Sequence, residues 1–228
     1  HFPITGYPRN EFARMADTDY AFAWANVDAG VASRLGEWIA GGRKLVLVTP
    51  TMRDSGASPV RLDPEAIGAI DAFAEAHGVE FVFKFHPSER AAGLAVGRHV
   101  HACSPDSDIY PLLAHAGALV TDYSSIYMDY LLLDRPVLFM IPDGENYMRD
   151  DRQVQFDPST MMPGPVVSSW TALLPTLAAQ WMDDGHAAAR RLLCDRAFDG
   201  LPQDEATARL VAFMRKQCWW PEATDENR

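Results

Sequence analysis

Positive charge is the first thing this 228-residue chain is short of: 20 Lys and Arg stand against 31 Asp and Glu, a formal charge of −11. A nucleic-acid-binding surface carries a basic excess, so that class of function is set aside. A local basic pocket for a phosphorylated small molecule stays open. Cysteine is scarce too. Cys103, Cys194 and Cys218 are scattered, odd in number and without a CxxC pair. That argues for a reducing compartment and against a disulfide framework or a Cys-rich zinc site. The longest apolar runs, such as residues 137–141, fall far short of the roughly 18 residues of a spanning helix. No basic-then-apolar signal stretch opens the chain. A cytoplasmic, non-spanning protein is therefore expected. Internal repeats and low-complexity tracts are absent as well.

What is present suits a globular domain. Apolar residues make up 48% and charged residues 22%, enough for a real core. Six Trp, seven Tyr and eleven Phe exclude general disorder. The length fits one large domain or two small ones. His1-Phe2-Pro3 lacks an initiator Met, so an excerpt of a longer chain is expected.

The apolar runs alternate with helical periodicity. Residues 44–49 form a nearly continuous apolar run ended by Pro50, the pattern of a strand buried on both faces. Asp63-Pro64 is an N-cap followed by Pro at the first helical position. Ile67, Ile70 and Phe73 then recur at helical spacing, and Gly78 stands where a C-cap would stop the helix. Further strands are expected at 79–85, 99–103, 118–121 and 136–141, with helices at 106–115 and 124–133, the second capped by Ser. Residues 143–165 read as a long polar loop, and 170–182, 186–197 and 204–218 as helices. Such alternation implies an α/β fold: a Rossmann-like, doubly wound, mostly parallel sheet with a helical C-terminal end. Residues 1–40 read as a lead-in with one helix at 28–39, residues 41–218 as one Rossmann-like domain, and 219–228 as a polar tail.

Ligands of an open parallel sheet bind beyond the carboxyl ends of its strands. The loops there carry Thr51 and Arg53 after the first strand, and Lys84, His86 and Arg90 after the second. Asp122, Ser124 and Ser125 follow the fourth strand, and Asp143 the fifth. Ser124-Ser125 reads either as a plain helix cap or as an anion site of hydroxyls and backbone N–H groups. His86 is a candidate general base or phosphate contact. Arg53 and Arg152 are candidate bidentate phosphate clamps, each against the alternative of a solvated surface Arg. Asp106-Ser107-Asp108 resembles an acidic metal-holding triplet, but it opens a helix candidate, where acidic caps are expected anyway, and the cap reading is preferred. No metal site and no cofactor are expected. His77, His99, His101, His115 and His186 lack ligand spacing and read as structural, and Met161-Met162 and Trp219-Trp220 as packing. Neither a Gly-x-Gly-x-x-Gly after the first strand nor a Gly-Lys-Ser/Thr loop occurs, which removes the main support for NAD-type and P-loop readings.

In order, the loops resemble the motifs of the CDP-glycerol glycerophosphotransferase family, the teichoic acid and capsule polymerases. The series runs Gly6-Tyr7-Pro8-Arg9-Asn10, Thr49-Pro50-Thr51-Met52-Arg53-Asp54, Lys84-Phe85-His86-Pro87 and Asp108-Ile109-Tyr110-Pro111-Leu112-Leu113. It continues through Thr121-Asp122-Tyr123-Ser124-Ser125-Ile126-Tyr127-Met128-Asp129-Tyr130, Arg135-Pro136-Val137-Leu138-Phe139, the stretch from Tyr147 to Asp157, and Pro163-Gly164-Pro165. The resemblance covers about residues 6 to 170. It implies one half of a GT-B architecture, the C-terminal, donor-binding domain, and metal-independent transfer from CDP-glycerol or CDP-ribitol to a polymer or lipid-linked acceptor.

By motif match His86 would be the catalytic or phosphate-contacting histidine, and Ser124 and Ser125 would hold the donor pyrophosphate. Thr51, Asp122, Arg53 and Arg152 would line the donor site, and Asp129 or a neighbouring acidic group would reach the ribose hydroxyls. Two departures stand out. Gln153 follows the loop Arg where the family usually has Gly, and the N-terminal domain, with its partner histidine and acceptor surface, is missing. Rival readings are a GT-B enzyme or epimerase using a UDP-sugar, and a non-catalytic CDP-alditol- or CMP-binding module.

Overall fold

The computed structural model describes residues 4–14, 21–51, 53, 60, 62–85, 97–144 and 157–217. The expected tail at 219–228, the Trp219-Trp220 pair and Cys218 lie outside the described residues. Among the described residues the six strands are β1 (Lys44–Thr49), β2 (Val79–Lys84), β3 (Val100–Cys103), β4 (Ala116–Thr121), β5 (Val137–Met140) and β6 (Val166–Val167). The helices before β2 are α1 (Arg9–Arg14), α2 (Ala21–Trp24), α3 (Ala29–Ala40) and α4 (Pro64–His77). Those that follow are α5 (Tyr110–Leu113), α6 (Ile126–Tyr130), α7 (Pro158–Met161), α8 (Trp170–Met182), α9 (Ala187–Phe198) and α10 (Ala206–Lys216).

All strand pairings are parallel, in the order β3-β2-β1-β4-β5-β6. This is the dinucleotide-fold order, whose direction reverses between β1 and β4. Alternation along each strand divides the core. Leu45, Leu47, Val82, Leu119 and Phe139 face α3, α5 and α6. Val46, Val48, Phe81, Phe83, Val120 and Leu138 face α4 and α8. Both faces are covered, which is why these strands read as continuous apolar runs.

The local signals have visible causes. The Asp63 carboxylate accepts from the Ala66 N–H at the start of α4, and Gly78 closes that helix at φ 63°. Ser169 caps α8 in the same way through the Ala172 N–H. The helix expected at 124–133 is instead two pieces, the five residues of α6 and a 3-10 turn at Leu131–Leu133. Asp134 takes a left-handed conformation at φ 48° and ends it. The helix expected at 106–115 shrinks to α5, because Ser107 and Asp108 are engaged in loop hydrogen bonds. The polar loop at 143–165 contains α7. Among the described residues no helix is long and apolar enough to cross a membrane.

Near the amino end of β2 lies a buried polar cluster. Glu80 accepts from His101 Nε2 at 2.6 Å, and His99 bridges Glu80 and Glu75 at 3.0 and 2.8 Å. Arg43 lies against Glu80, and Arg34 donates to His101 Nδ1 at 3.0 Å. Burial would raise the Glu80 carboxyl, but hydrogen bonds from His101 and His99, with Arg43 nearby, hold it below its ordinary value. Burial pushes His101 down, only partly offset by its bond to Glu80, and Arg34 pushes it further. Burial and Arg135 lower His115 in the same direction.

The unfolded chain therefore takes up protons at both histidines before the folded protein does, so stability falls with pH. The loss begins near the ordinary His value of about 6.5 and deepens in the carboxylate range as Glu80 titrates. We expect the melting temperature to drop between about pH 7 and pH 5, and His101→Gln combined with His115→Gln to flatten that drop. A wild-type melting temperature that does not change over this range would refute the assignment.

Candidate functional site

At the carboxyl edge of the sheet, three loops are fastened by one buried cation. Thr49 and Thr121, the last residues of β1 and β4, hydrogen-bond across the switch point at 3.2 Å through their hydroxyls. Beyond them the Asp122 carboxylate is wholly buried and serves as the acceptor hub. Its Oδ1 accepts from the Thr51 N–H at 2.9 Å, the Thr51 hydroxyl at 2.6 Å and the Ser124 N–H at 3.3 Å. Its Oδ2 accepts from Arg53 at 2.9 Å. Arg53 also donates to the Thr51 carbonyl at 2.8 Å, and its other edge meets Asp143 at 2.6 and 3.2 Å.

The Arg53 side chain is 3% exposed and that of Asp122 1%, against 26% for Asp143. Burial works against the Arg53 charge, yet the bonds to Asp143 and Asp122 hold the guanidinium above its ordinary value. The Tyr123 ring lies 5.8 Å from the Arg53 guanidinium carbon, and its hydroxyl donates to the Gly144 carbonyl at 3.1 Å. The segments after β1, β4 and β5 thus share one frame. Arg53, read from sequence as a phosphate clamp, is enclosed by protein carboxylates instead. Thr51 and Asp122 face each other.

Ser124 is half-buried and Ser125 exposed. Ser125 makes no side-chain cap, so the expected Ser cap is absent and its hydroxyl stays available at the start of α6. One turn further on, Asp129 departs from its expected ribose contact. Its carboxylate is 6% exposed and accepts from the Tyr110 hydroxyl at 2.6 Å and from Arg9 Nε at 3.1 Å. Burial, together with donation to Asp129, raises the Tyr110 phenol above its ordinary value.

Lys84, at the end of β2, donates to the Phe85 and Pro105 carbonyls at 3.1 and 2.5 Å, and burial lowers its ammonium pKa. It thereby ties β2 to the loop after β3. His86 and Arg90, which follow it, lie outside the described residues, as do Arg152, Gln153 and Tyr147.

Asp106-Ser107-Asp108 serves the backbone. The Ser107 hydroxyl accepts from the Asp28 N–H at 2.8 Å, and Asp108 accepts from the Tyr110 N–H at 3.0 Å. Among the described residues no group of three or more His, Cys, Asp or Glu is placed to hold a metal ion. The sequence reading assigned no role to Asp143, Arg9 or Tyr110. All three stand in strings it quoted, but their carboxylate or guanidinium partners lie 19 to 120 positions away, beyond any spacing rule.

Residues 2–215 match the profile of the CDP-Glycerol:Poly(glycerophosphate) glycerophosphotransferases. The chain belongs to that family. Among curated family relatives, the teichoic acid glycerol-phosphate transferase of Staphylococcus aureus (strain NCTC 8325 / PS 47) is 32% identical over 223 residues. That covers 93% of this chain and 54% of the transferase. The teichoic acid ribitol-phosphate primase of Bacillus spizizenii (strain ATCC 23059 / NRRL B-14472 / W23) is 28% identical over 160 residues, 66% of this chain and 38% of the primase. Among solved structures, the wall teichoic acid polymerase TagF superposes with a TM-score of 0.68 at 21% identity. The match takes in 93% of this chain and 50% of the polymerase, and at that identity it speaks for the fold. The chain thus spans about half the length of the transferase and the polymerase.

Proposed function

We propose that this chain binds the donor in a CDP-glycerol glycerophosphotransferase-like enzyme. The parent would move glycerol-phosphate, or ribitol-phosphate, from a CDP-alditol to a hydroxyl of a growing teichoic-acid-like or capsule polymer. The observation that carries this reading is the family match over nearly the whole chain. The open hydroxyl of Ser125 at the switch-point edge supports it.

In the proposed step the acceptor oxygen attacks the β-phosphorus of the CDP-alditol. An O–P bond forms, the bond between the β-phosphorus and the bridging oxygen breaks, and CMP leaves with that electron pair. The acceptor proton passes to a base, for which His86 is the family-matched candidate. Charge develops on phosphate oxygens, so donors at Ser124 and Ser125, with Arg152 as the family-matched cation, would supply most of the stabilisation, without a metal in the scheme. Thr51, Arg53 and Asp122 act one step back, by holding the Ser124 backbone. Asp129 is reassigned to positioning. The remaining half of the enzyme, a second Rossmann-like domain, would complete the cleft and receive the acceptor. A lipid-linked acceptor would place the parent on the cytoplasmic face of the membrane.

The test is calorimetric titration with CDP-glycerol, CDP-ribitol, CMP and UDP-GlcNAc. A CDP-alditol should bind best. Changing both Ser124 and Ser125 to Ala should weaken it about 10- to 100-fold, the loss of two hydrogen bonds of ~1 kcal/mol each. Preference for UDP-GlcNAc, or indifference to the double substitution, would move the case to a nucleotide-sugar enzyme. His86→Ala should leave binding largely intact and abolish transfer by the full-length parent.

A further inference from the structure

Arg9 is held in place far more firmly than a surface arginine needs to be. Its backbone lies in α1, which is fastened to the far end of the chain. The Glu11 carboxylate accepts from the Thr207 N–H and hydroxyl at 2.6 and 2.8 Å, covering the start of α10. Gln203 Oε1 accepts from the Tyr7 N–H at 3.0 Å and from the Asn10 amide at 3.4 Å. Arg209 donates to the Thr5 carbonyl at 3.0 Å.

The guanidinium is then gripped on its inner side. Its carbon lies 4.6 Å from the Tyr7 ring centroid and 5.9 Å from that of Tyr110. Nε bonds Asp129 Oδ2 at 3.1 Å, while the second contact to that carboxylate is a long 3.5 Å. Half of the side chain, 51%, remains open to solvent, although its partner Asp129 is almost wholly buried.

We infer that Arg9 is a substrate phosphate-binding residue, held at the carboxyl edge of the sheet by Asp129, Tyr110 and Tyr7. This rests on the donor-binding reading above. An ion pair with an exposed partner contributes little to stability, while enclosing the Asp129 carboxylate has a desolvation cost. Stability is therefore a poor account of the arrangement. Presentation is a better one: a guanidinium already fixed in one orientation loses little freedom when it meets a phosphate, and its planar fork suits two phosphate oxygens.

The location fits. Asp129 lies four residues beyond Ser125, a rise of about 6 Å along the helix, and Tyr110 opens the helix after β3. A ligand with two linked phosphates seated at the serines would extend over that distance. Among the described residues, two other cations of this edge are committed: Arg53 is enclosed by two carboxylates, and Lys84 is spent on two carbonyls.

The phosphate could belong to the donor or to a glycerol-phosphate acceptor, and titration separates the two. The probes are CDP-glycerol, a short glycerol-phosphate oligomer and phosphate-free cytidine. The variants are Arg9→Gln, Arg9→Lys and the double change Arg9→Gln with Asp129→Asn, which leaves no unpaired buried carboxylate. We expect Arg9→Gln and the double variant to weaken one phosphate ligand about tenfold or more and to reduce its salt dependence. Arg9→Lys should recover part of that loss, and cytidine should be unaffected.

A loss confined to CDP-glycerol assigns the contact to the donor, and one confined to the oligomer assigns it to the acceptor. Wild-type-like binding of both by the double variant would overturn the inference, as would recovery in the double variant of affinity lost in Arg9→Gln. Wild-type protein that binds neither phosphate ligand would instead overturn the donor-binding reading itself, and this inference with it.

Discussion

Arg53→Ala is expected to cost about 3–5 kcal/mol of folding stability, the range for removing one partner of a buried ion pair. The size follows from what is left behind. Asp122 is wholly buried and would lose the guanidinium that balances its charge, keeping only the Thr51 and Ser124 donors. The Thr51 carbonyl would lose its Arg53 donor as well. A domain with the usual margin of about 5–15 kcal/mol would survive, but weakened.

Asp143→Ala should cost much less, because that carboxylate is already one-quarter exposed and water can take up part of its role. Arg53→Lys should fail to restore stability, since one ammonium cannot address Asp122, Asp143 and the Thr51 carbonyl at once. Urea denaturation checks all three. An Arg53→Ala loss below about 1 kcal/mol would mean that the cluster is hydrated and flexible rather than a frame. On the donor-binding proposal, affinity for a CDP-alditol should fall together with stability in Arg53→Ala, because Asp122 also holds the Ser124 backbone.

The difference between Arg53 as expected and Arg53 as found shows what a sequence can carry. Strands such as β1 were legible because burial on both faces leaves an unbroken apolar run ended by Pro50. The α4 helix was legible because its stop and start are local: an Asp63 cap, Pro64 at the first position, and Gly78 in the left-handed region. For α8 both bounds, Trp170 and Met182, were read correctly, although the Ser169 cap was not. Strand β6 was not read, since two residues carry no periodicity. Nor was the division at 124–133, which depends on where Asp134 turns.

The candidate site divides in the same way. Which loops reach the carboxyl edge follows from the order of elements, so Thr51, Asp122, Ser124 and Ser125 could be placed there from sequence. Which side chains on that edge face a ligand and which face each other is settled by long-range pairing. Arg53 meets Asp143 at a separation of 90 residues and Arg9 meets Asp129 at 120. A surface clamp and a buried strut look identical in a motif. The lead-in segment shows the same limit. Its Gly6-Tyr7-Pro8-Arg9-Asn10 string was visible, but the docking of α1 on both α10 and the α6 edge was not.

Gly164→Ala should be the second severe substitution, with an expected loss of about 3 kcal/mol and detachment of the edge strand. Gly164 presses against the backbone of β5. An added Cβ would overlap the Val137 carbonyl oxygen and stand 3.4 Å from the Phe139 ring. Backbone in the middle of a sheet cannot move aside as a flexible side chain can, so β6 is the element that gives way. The Phe139 and Ile141 N–H groups, which donate to Pro165 and Val167 at 2.8 and 2.7 Å, would lose those partners. Hydrogen exchange at these two amides should accelerate sharply in the variant while amides of β1 and β2 keep their relative order of protection.

Gly36→Ala in α3 and Gly68→Ala in α4 provide the contrast. Both positions are helical and have nothing within 4 Å of an added Cβ, so each should gain about 0.5–1 kcal/mol. If Gly164→Ala behaves like those two, the close approach at β5 is relieved at little cost and β6 is not held by it. If it behaves as expected, the damage should reach the candidate site, because β5 leads directly into Asp143, and Asp143 carries one edge of Arg53.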